Sequence, residues 1–140
     1  MDFVKFGNKY VLRLDKGEEI VETLKEFCTQ QGIKLGWIKG IGAVGEATIG
    51  LFETKEKEYH SVDLKGDYEI TSLLGNISTM NGETYLHLHA TLGDSEYNVQ
   101  GGHFSRGVIS ATGEFVIESI EGEIDRKFDQ EIGLNLYKFK

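Results

Sequence analysis

The segment TYLHLHATLGDSEYNVQGGHF, residues 84–104, alternates apolar and polar side chains on either side of a turn. Successive side chains of a strand point to opposite faces, so His87 and His89 share one face and the intervening leucine and alanine residues share the other. The Gly-Asp-Ser sequence at residues 93–95 is typical of a turn, and residues 97–104 follow as a second strand. The segment therefore predicts an antiparallel hairpin with an apolar core face and a histidine face.

The third histidine of this segment comes near the first two if the hairpin has a suitable register. A loop over residues 93–97 pairs Leu92 with Asn98 and places His87 directly opposite His103. All three imidazoles then stand on one face, with neighbouring Cβ atoms about 4.5–5.5 Å apart. A shift by one residue would move the third ring to the other face, and the two glycines before it could form a bulge that causes such a shift.

Three histidines without a fourth protein ligand are typical of an open metal site, in which water or substrate takes the remaining position. Imidazole suits zinc, iron, nickel or copper, so nitrogen ligands alone do not select the ion. The alternative interpretation is a polar, solvated sheet face. His60 lies apart from the other three, and we expect it to be an ordinary surface residue.

The best local helix signal lies upstream of the histidines and predicts a helix over residues of about 16–31. Asp15 can serve as N-cap with Glu18 three residues later, as in a capping box, and Gly32 ends the helix. Apolar residues recur at helical spacing and place Cys28 on the buried face. A packed, unreactive thiol is the expectation for Cys28 because nothing nearby in the sequence lowers its pKa.

The remaining chain is mostly strand. A first hairpin turns at Gly7-Asn8, and the segment 125–132 is predicted as a short turn of helix. The other predicted strands cover residues 33–43, 47–53, 59–64, 68–78, 108–111, 114–121 and 135–139. One helix with eight or nine short strands predicts a single α+β domain over residues 1–140, with a strongly bent and mostly antiparallel sheet.

Composition narrows the function classes. The chain has 140 residues, a net charge of -8, one cysteine and no proline. The negative charge opposes binding to nucleic acid phosphates, and a single cysteine excludes an internal disulfide and a cysteine-based zinc cluster. Apolar runs are too short to span a bilayer, and the N-terminus lacks a signal-peptide core. We therefore expect a cytoplasmic protein without membrane association.

Several segments in order resemble the plants-and-prokaryotes conserved (PPC) domain, a domain of unknown function. The resemblance extends over nearly the whole chain and is carried by RLDKGEEI at 13–20, IKGIGA at 38–43, YEITSLLGNI at 68–77, HLH at 87–89 and GGH at 101–103. It implies a homotrimer, with zinc or another divalent transition metal on His87, His89 and His103. The plant members carry a basic AT-hook, whereas this chain has no proline and no basic run, as in the prokaryotic type.

Other polar residues in these segments have two interpretations each. Glu69 on an apolar strand is the candidate catalytic residue, either orienting a ligand histidine or acting as a base, and its alternative is an outward-facing residue. Asn76 could bind a ligand, but we expect it to cap a strand end. Arg106 could bind an anionic substrate, with a surface ion pair as the expected role. We also assign Arg13 and Arg126 to ion pairs.

Three functions remain open at this point. The first is a metal-binding homotrimer whose biochemical role is undetermined. The second is a metal-dependent hydrolase or lyase acting on a small molecule, because an open three-histidine site can polarise a carbonyl. The third is a DNA-associated protein, by analogy with the plant members, although direct DNA binding would then require a partner.

Overall fold

The computed structural model describes residues 1–139, and in these the α+β class with a single helix is confirmed. Most of the chain is strand, and all but one of the strand pairings are antiparallel. The elements in chain order are β1 (Asp2–Phe6), β2 (Lys9–Asp15), α1 (Ile20–Gln30), β3 (Gly36–Glu53), β4 (Glu58–Met80), β5 (Glu83–Gly93), β6 (Val99–Ser119), β7 (Asp125–Asp129) and β8 (Leu134–Lys138).

The short strands expected in the middle of the chain are segments of three long, bent strands. β3, β4 and β6 contain 18, 23 and 21 residues. Bulges bend β3, and one of them involves Gly42, whose φ of +155° is rarely adopted by residues with a side chain. Because β6 pairs with β5 at its start and with β3 along most of its length, β3, β4, β5 and β6 pair in a closed ring.

The helix is shorter at its N-terminus than the sequence predicted. α1 begins at Ile20, and its N-cap is Glu19, whose side chain accepts a hydrogen bond from the Glu22 backbone N–H at 2.7 Å. The proposed capping residues make a tight turn before the helix instead: the Glu18 carboxylate accepts from the Asp15 N–H at 2.6 Å. Cys28 is buried as predicted, and burial raises the pKa of its thiol to about 12.

The core lies between α1 and one face of the sheet. One row of this face runs across five strands from Tyr10 through Ile117, Ile38 and Gly75 to Leu88. A Cβ at Gly75 would overlap the Leu88 side chain, so the glycine makes room for a larger neighbour. The opposite face of the sheet is not covered by the helix. No helix in residues 1–139 has the length and apolar composition needed to cross a bilayer.

The helical turn predicted for residues 125–132 is wrong. Residues 125–129 form β7, which pairs antiparallel with β8 and touches β4 through the parallel pair Thr79–Asp125. The turn between the two strands is closed by the Asp129 carboxylate, which accepts from the Ile132 N–H at 2.9 Å, and Gly133 has a φ of +88°. This terminal hairpin, β7–β8, packs beside the histidines.

Candidate metal centre

The β5–β6 hairpin brings the three histidines together through a register different from the predicted one. His89, not His87, lies opposite His103, and Leu92 pairs with Gln100 instead of Asn98. The loop begins at Asp94, whose carboxylate accepts from the N–H groups of residues 96 and 98 at 2.9 Å each. The shift is two residues, and an even shift preserves the face on which each side chain lies. The prediction that the three histidines lie on one face is therefore correct, whereas the predicted pairing of His87 with His103 is wrong.

The three imidazoles form a compact cluster. One ring nitrogen of each of His87, His89 and His103 lies within 4.8 Å of those of the other two. The Nε2 atoms of His87 and His89 are 3.2 Å apart, and the ring centroids are separated by 5.1, 5.3 and 5.5 Å. A zinc–imidazole bond is about 2.0–2.1 Å long, so three nitrogens that share one ion lie roughly 3.3 Å from one another. Rotations of the three side chains would bring their nitrogens to this separation.

The environment of the cluster favours the neutral form of two of its rings, His87 and His103. Burial is the largest cause that lowers the pKa of His87, and neighbouring His103, His89 and Arg126 contribute to the final value of about 4. Burial also lowers the pKa of His103, with His89 as the second cause. Neutral imidazole is the form that binds a metal ion, so these two rings present ligand lone pairs at neutral pH without first losing a proton.

The cluster opens into a cavity of about 680 Å³ between the sheet and the terminal hairpin. Tyr59 lies on its wall, with its ring edge-to-face against His103 at a centroid distance of 5.8 Å. Leu51, Leu134 and Leu136 form an apolar part of the lining. A small organic molecule would fit this volume with its polar end at the imidazoles.

Arg126 forms a polar part of the cavity lining, and sequence reasoning missed this role. The residue is 7% exposed, and its guanidinium packs on the rings of Tyr85 and Tyr137, with Cζ 4.7 and 4.4 Å from their centroids. It donates to Ser78 Oγ at 2.8 Å, to Asn76 Oδ1 at 2.8 Å and to the Asn135 carbonyl at 2.7 Å. The ion pair predicted for Arg126 is absent among residues 1–139, and its partners are neutral.

Asn76 is likewise not the strand-end cap that the sequence suggested. It lies within β4, directly across from His87 on β5, and lines the cavity. Its amide oxygen holds the Arg126 guanidinium next to the histidine cluster. No local pattern distinguishes Asn76 or Arg126, because the contact joins residues fifty positions apart.

The remaining sequence candidates lie elsewhere. Glu69 is exposed and pairs with Gly93, four residues along β5 from His89, a separation of roughly 13 Å in a strand. It therefore does not contact the imidazoles. Arg106 forms the expected surface ion pair with Glu46 at 2.9 Å. His60 is exposed and contacts Glu53 at 3.2 Å, apart from the cluster, as predicted. Arg13 forms the predicted ion pairs at the surface.

Comparison with known proteins gives a consistent result. The family model for the Plants and Prokaryotes Conserved domain, abbreviated PCC or PPC, matches residues 1–121. A structure from Bacteroides thetaiotaomicron, provisionally described as a DNA-binding protein, is 42% identical with a TM-score of 0.96 and covers 99% of this chain and 96% of its own. The metal-containing protein AF0104 from Archaeoglobus fulgidus is 35% identical, with a TM-score of 0.88 and coverages of 99% and 97%.

A curated relative is much longer. The bifunctional protein GlmU from a Synechococcus strain is 29% identical over 127 residues. The match covers 89% of this chain, and the chain spans about a fifth of that protein's length, 19%. The likeness therefore concerns one part of the longer protein.

Proposed function

Because the chain belongs to the Plants and Prokaryotes Conserved domain family, whose model matches residues 1–121, we propose that it binds one divalent transition-metal ion through His87, His89 and His103. The observation that carries this proposal is the approach of three ring nitrogens to within 4.8 Å of one another. Zinc is the first candidate, since three imidazoles with one open position are a common zinc arrangement.

The donor set fits such an ion. Two of the three rings have a lowered pKa, and the cluster faces a cavity rather than a packed core. The relative from Archaeoglobus fulgidus, 35% identical, is described as metal-containing. These observations favour a metal site over a solvated polar face, because His87 and His103 are half-buried side by side, and a shared ion would compensate for the water that their ring nitrogens lose.

A bound divalent ion would supply Lewis acidity to an oxygen of a small molecule. Metal-dependent hydrolysis or a lyase reaction is therefore the activity class that the cavity suits. The residues of the chain would position the reactant: Tyr59 packs edge-to-face against the His103 ring, and the leucines of the cavity lining offer an apolar surface to it.

DNA binding is a weaker candidate. The Bacteroides relative carries that description, but the net charge here is -8, and a trimer would carry about three times as much. Such a charge repels phosphate unless basic residues are segregated on one surface. We therefore propose that the protein does not bind DNA without a partner.

Metal uptake tests the main proposal. Untagged protein purified without added metal or chelator, then dialysed against zinc and passed through a desalting column, should retain about one ion per chain. Elemental analysis by mass spectrometry gives the stoichiometry directly. Protein that contains no metal after purification and takes up none on reconstitution would leave the histidines as an ordinary polar face.

We also propose that the protein forms a homotrimer through the sheet face not covered by α1. One row of that face runs from Val4 through Val11, Val116, Lys39 and Leu74 to His89. Val4, Val11 and Leu74 are 56%, 46% and 45% exposed, so this stripe is apolar except at the exposed Lys39 and ends at the histidines. Exposed apolar surface rimmed by polar residues is typical of interfaces between proteins.

Sedimentation equilibrium should therefore give a species of about 47 kDa, three times the 15.7 kDa chain. Leu74→Glu places a charge in the stripe and should shift the distribution to the monomer, because burying an unpaired carboxylate is costly. Tyr97→Glu is the control, since Tyr97 is 92% exposed in the loop between β5 and β6 and away from the stripe. Wild-type protein sedimenting as a 15.7 kDa species would contradict the trimer.

A further inference from the structure

Arg126 is a buried cation whose charge the described part of the chain does not neutralise. It is 7% exposed, and its three hydrogen-bond acceptors are a hydroxyl, an amide oxygen and a backbone carbonyl. Removing a guanidinium from water among neutral partners is unfavourable unless an anion completes its environment. The ion pairs found within residues 1–139 do not include it.

The guanidinium also has N–H donors that are not engaged in hydrogen bonds within residues 1–139. Of its five N–H groups, three are used by Ser78, Asn76 and the Asn135 carbonyl, which leaves two on the terminal nitrogens. The rings of Tyr85 and Tyr137 pack against the guanidinium, with centroids 4.7 and 4.4 Å from its Cζ, so the two unused N–H groups are the part that remains for an additional acceptor. An in-plane approach to terminal N–H groups is how a carboxylate binds arginine.

The position of Arg126 relative to the histidines is fixed by β4 and β5. Asn76 accepts from Arg126 and lies directly across from His87, while Tyr85, which stacks on the guanidinium, precedes His87 by two residues on the same face of β5. One two-residue step along a strand is roughly 7 Å. A molecule of a few carbon atoms can therefore contact both groups inside the 680 Å³ cavity.

From these contacts we infer that the cavity binds a small organic carboxylate, with its carboxylate group on Arg126 and its remaining atoms directed toward the three histidines. Phosphate is a poorer match, since its three or four oxygens require more donors than the two that are available. The apolar lining by Leu51, Leu134 and Leu136 suits a carbon skeleton. The second contact rests on the proposed metal function, whereas the contact with Arg126 does not depend on it.

The experiment follows the Arg126 side chain by nuclear magnetic resonance in wild-type protein. Its Nε–H is buried and bonded to Ser78 Oγ, so its exchange with water should be slow enough to observe. Lactate is the probe, lactamide its uncharged isostere, and inorganic phosphate a second anion. We expect lactate to shift this resonance and to bind at least about tenfold more tightly than lactamide or phosphate.

Variants of Arg126 test whether lactate binding requires the positive charge and the planar pair of N–H donors that a guanidinium supplies. Arg126→Met should weaken lactate binding by about tenfold or more, Arg126→Lys should restore only part of it, and Arg106→Met should leave it unchanged, because Arg106 pairs with Glu46 at the surface. A purely structural arginine would not discriminate lactate from lactamide. Equal binding of the two, a preference for phosphate, or no response of the Arg126 resonance at tens of millimolar lactate would overturn the inference.

The two proposals fail in different ways. If the metal proposal alone is wrong, the protein takes up no zinc, yet lactate still shifts the Arg126 resonance. If the carboxylate inference alone is wrong, zinc binds with the expected stoichiometry in the wild type and in Arg126→Lys, and lactate binds neither form. Metal content measured on the same samples separates these results.

Discussion

Replacing His87, His89 and His103 together with alanine should reduce the metal content from about one ion per chain to none. The physical reason is that these rings are the grouped metal-ligand candidates among residues 1–139, so no neighbouring carboxylate or thiol can substitute for them. Each single alanine variant should bind zinc roughly 100-fold more weakly or worse, because even residues that only support a ligand contribute about 10–100-fold. Competition with a chromophoric chelator measures these affinities.

The matched control for this prediction is His60→Ala. His60 is exposed and contacts Glu53, so its removal changes the histidine count without touching the cluster. We expect unaltered zinc stoichiometry in this variant. Circular dichroism should show the same strand content in all variants, since the three rings face a cavity and do not fill the core. A triple variant that still holds stoichiometric zinc would refute the site.

Phe104→Ala should lower the free energy of unfolding by about 3–5 kcal/mol, the usual cost of deleting a buried phenylalanine ring. Phe104 follows His103 on β6 and points to the opposite face, where it is 2% exposed. Its ring fills the space beside Gly107, where a Cβ would overlap it. The cavity left by alanine cannot be filled without moving β6 itself.

Urea denaturation followed by intrinsic fluorescence or circular dichroism measures this loss. Phe6→Ala is the control, because Phe6 is 63% exposed at the end of β1 and its removal should change stability by about 0.5 kcal/mol at most. If Phe104→Ala does not fold, Phe104→Leu should fold with a loss of about 1 kcal/mol, as it keeps most of the volume. A loss below about 1 kcal/mol for Phe104→Ala would contradict the burial described here.

The histidine face could be predicted because a strand has a strict period of two. That period places His87 and His89 together whatever the strand pairs with, and an even shift in register brings His103 to the same side. The direct partner could not be predicted, because the Asp94 carboxylate closes the loop one residue later than a simple turn count suggests.

The lengths of β3, β4 and β6 were beyond local sequence reasoning. Glycines and polar residues that normally end a strand lie at β-bulges here. At each bulge the strand bends, and its hydrogen-bonded pairing with the neighbouring strand resumes beyond the bulge. The helix N-terminus was misplaced for a similar reason: Asp15 and Glu18 do bond to each other, but their contact forms a turn ahead of the helix. The hydrogen bond expected of a capping box can thus form without its first residue being the N-cap of the helix.

The role of Arg126 could not be predicted because every one of its partners is set by tertiary structure. Ser78 and Asn76 come from β4, and the stacking rings come from β5 and β8. A lone arginine in the sequence DRKFD reads as a surface residue. Its burial becomes visible only when the terminal hairpin is seen to lie over the sheet.

The cavity is built from two stretches of chain that can change independently. Its three histidines lie within residues 1–121, which the family model matches, whereas Arg126 and the leucines of β8 lie beyond that stretch. Substitutions in the terminal hairpin can therefore alter which molecule enters without disturbing the residues that would hold an ion. Proteins that share the three histidines can in this way acquire different ligands. The sequence differences responsible would then lie in the strands that correspond to β7 and β8.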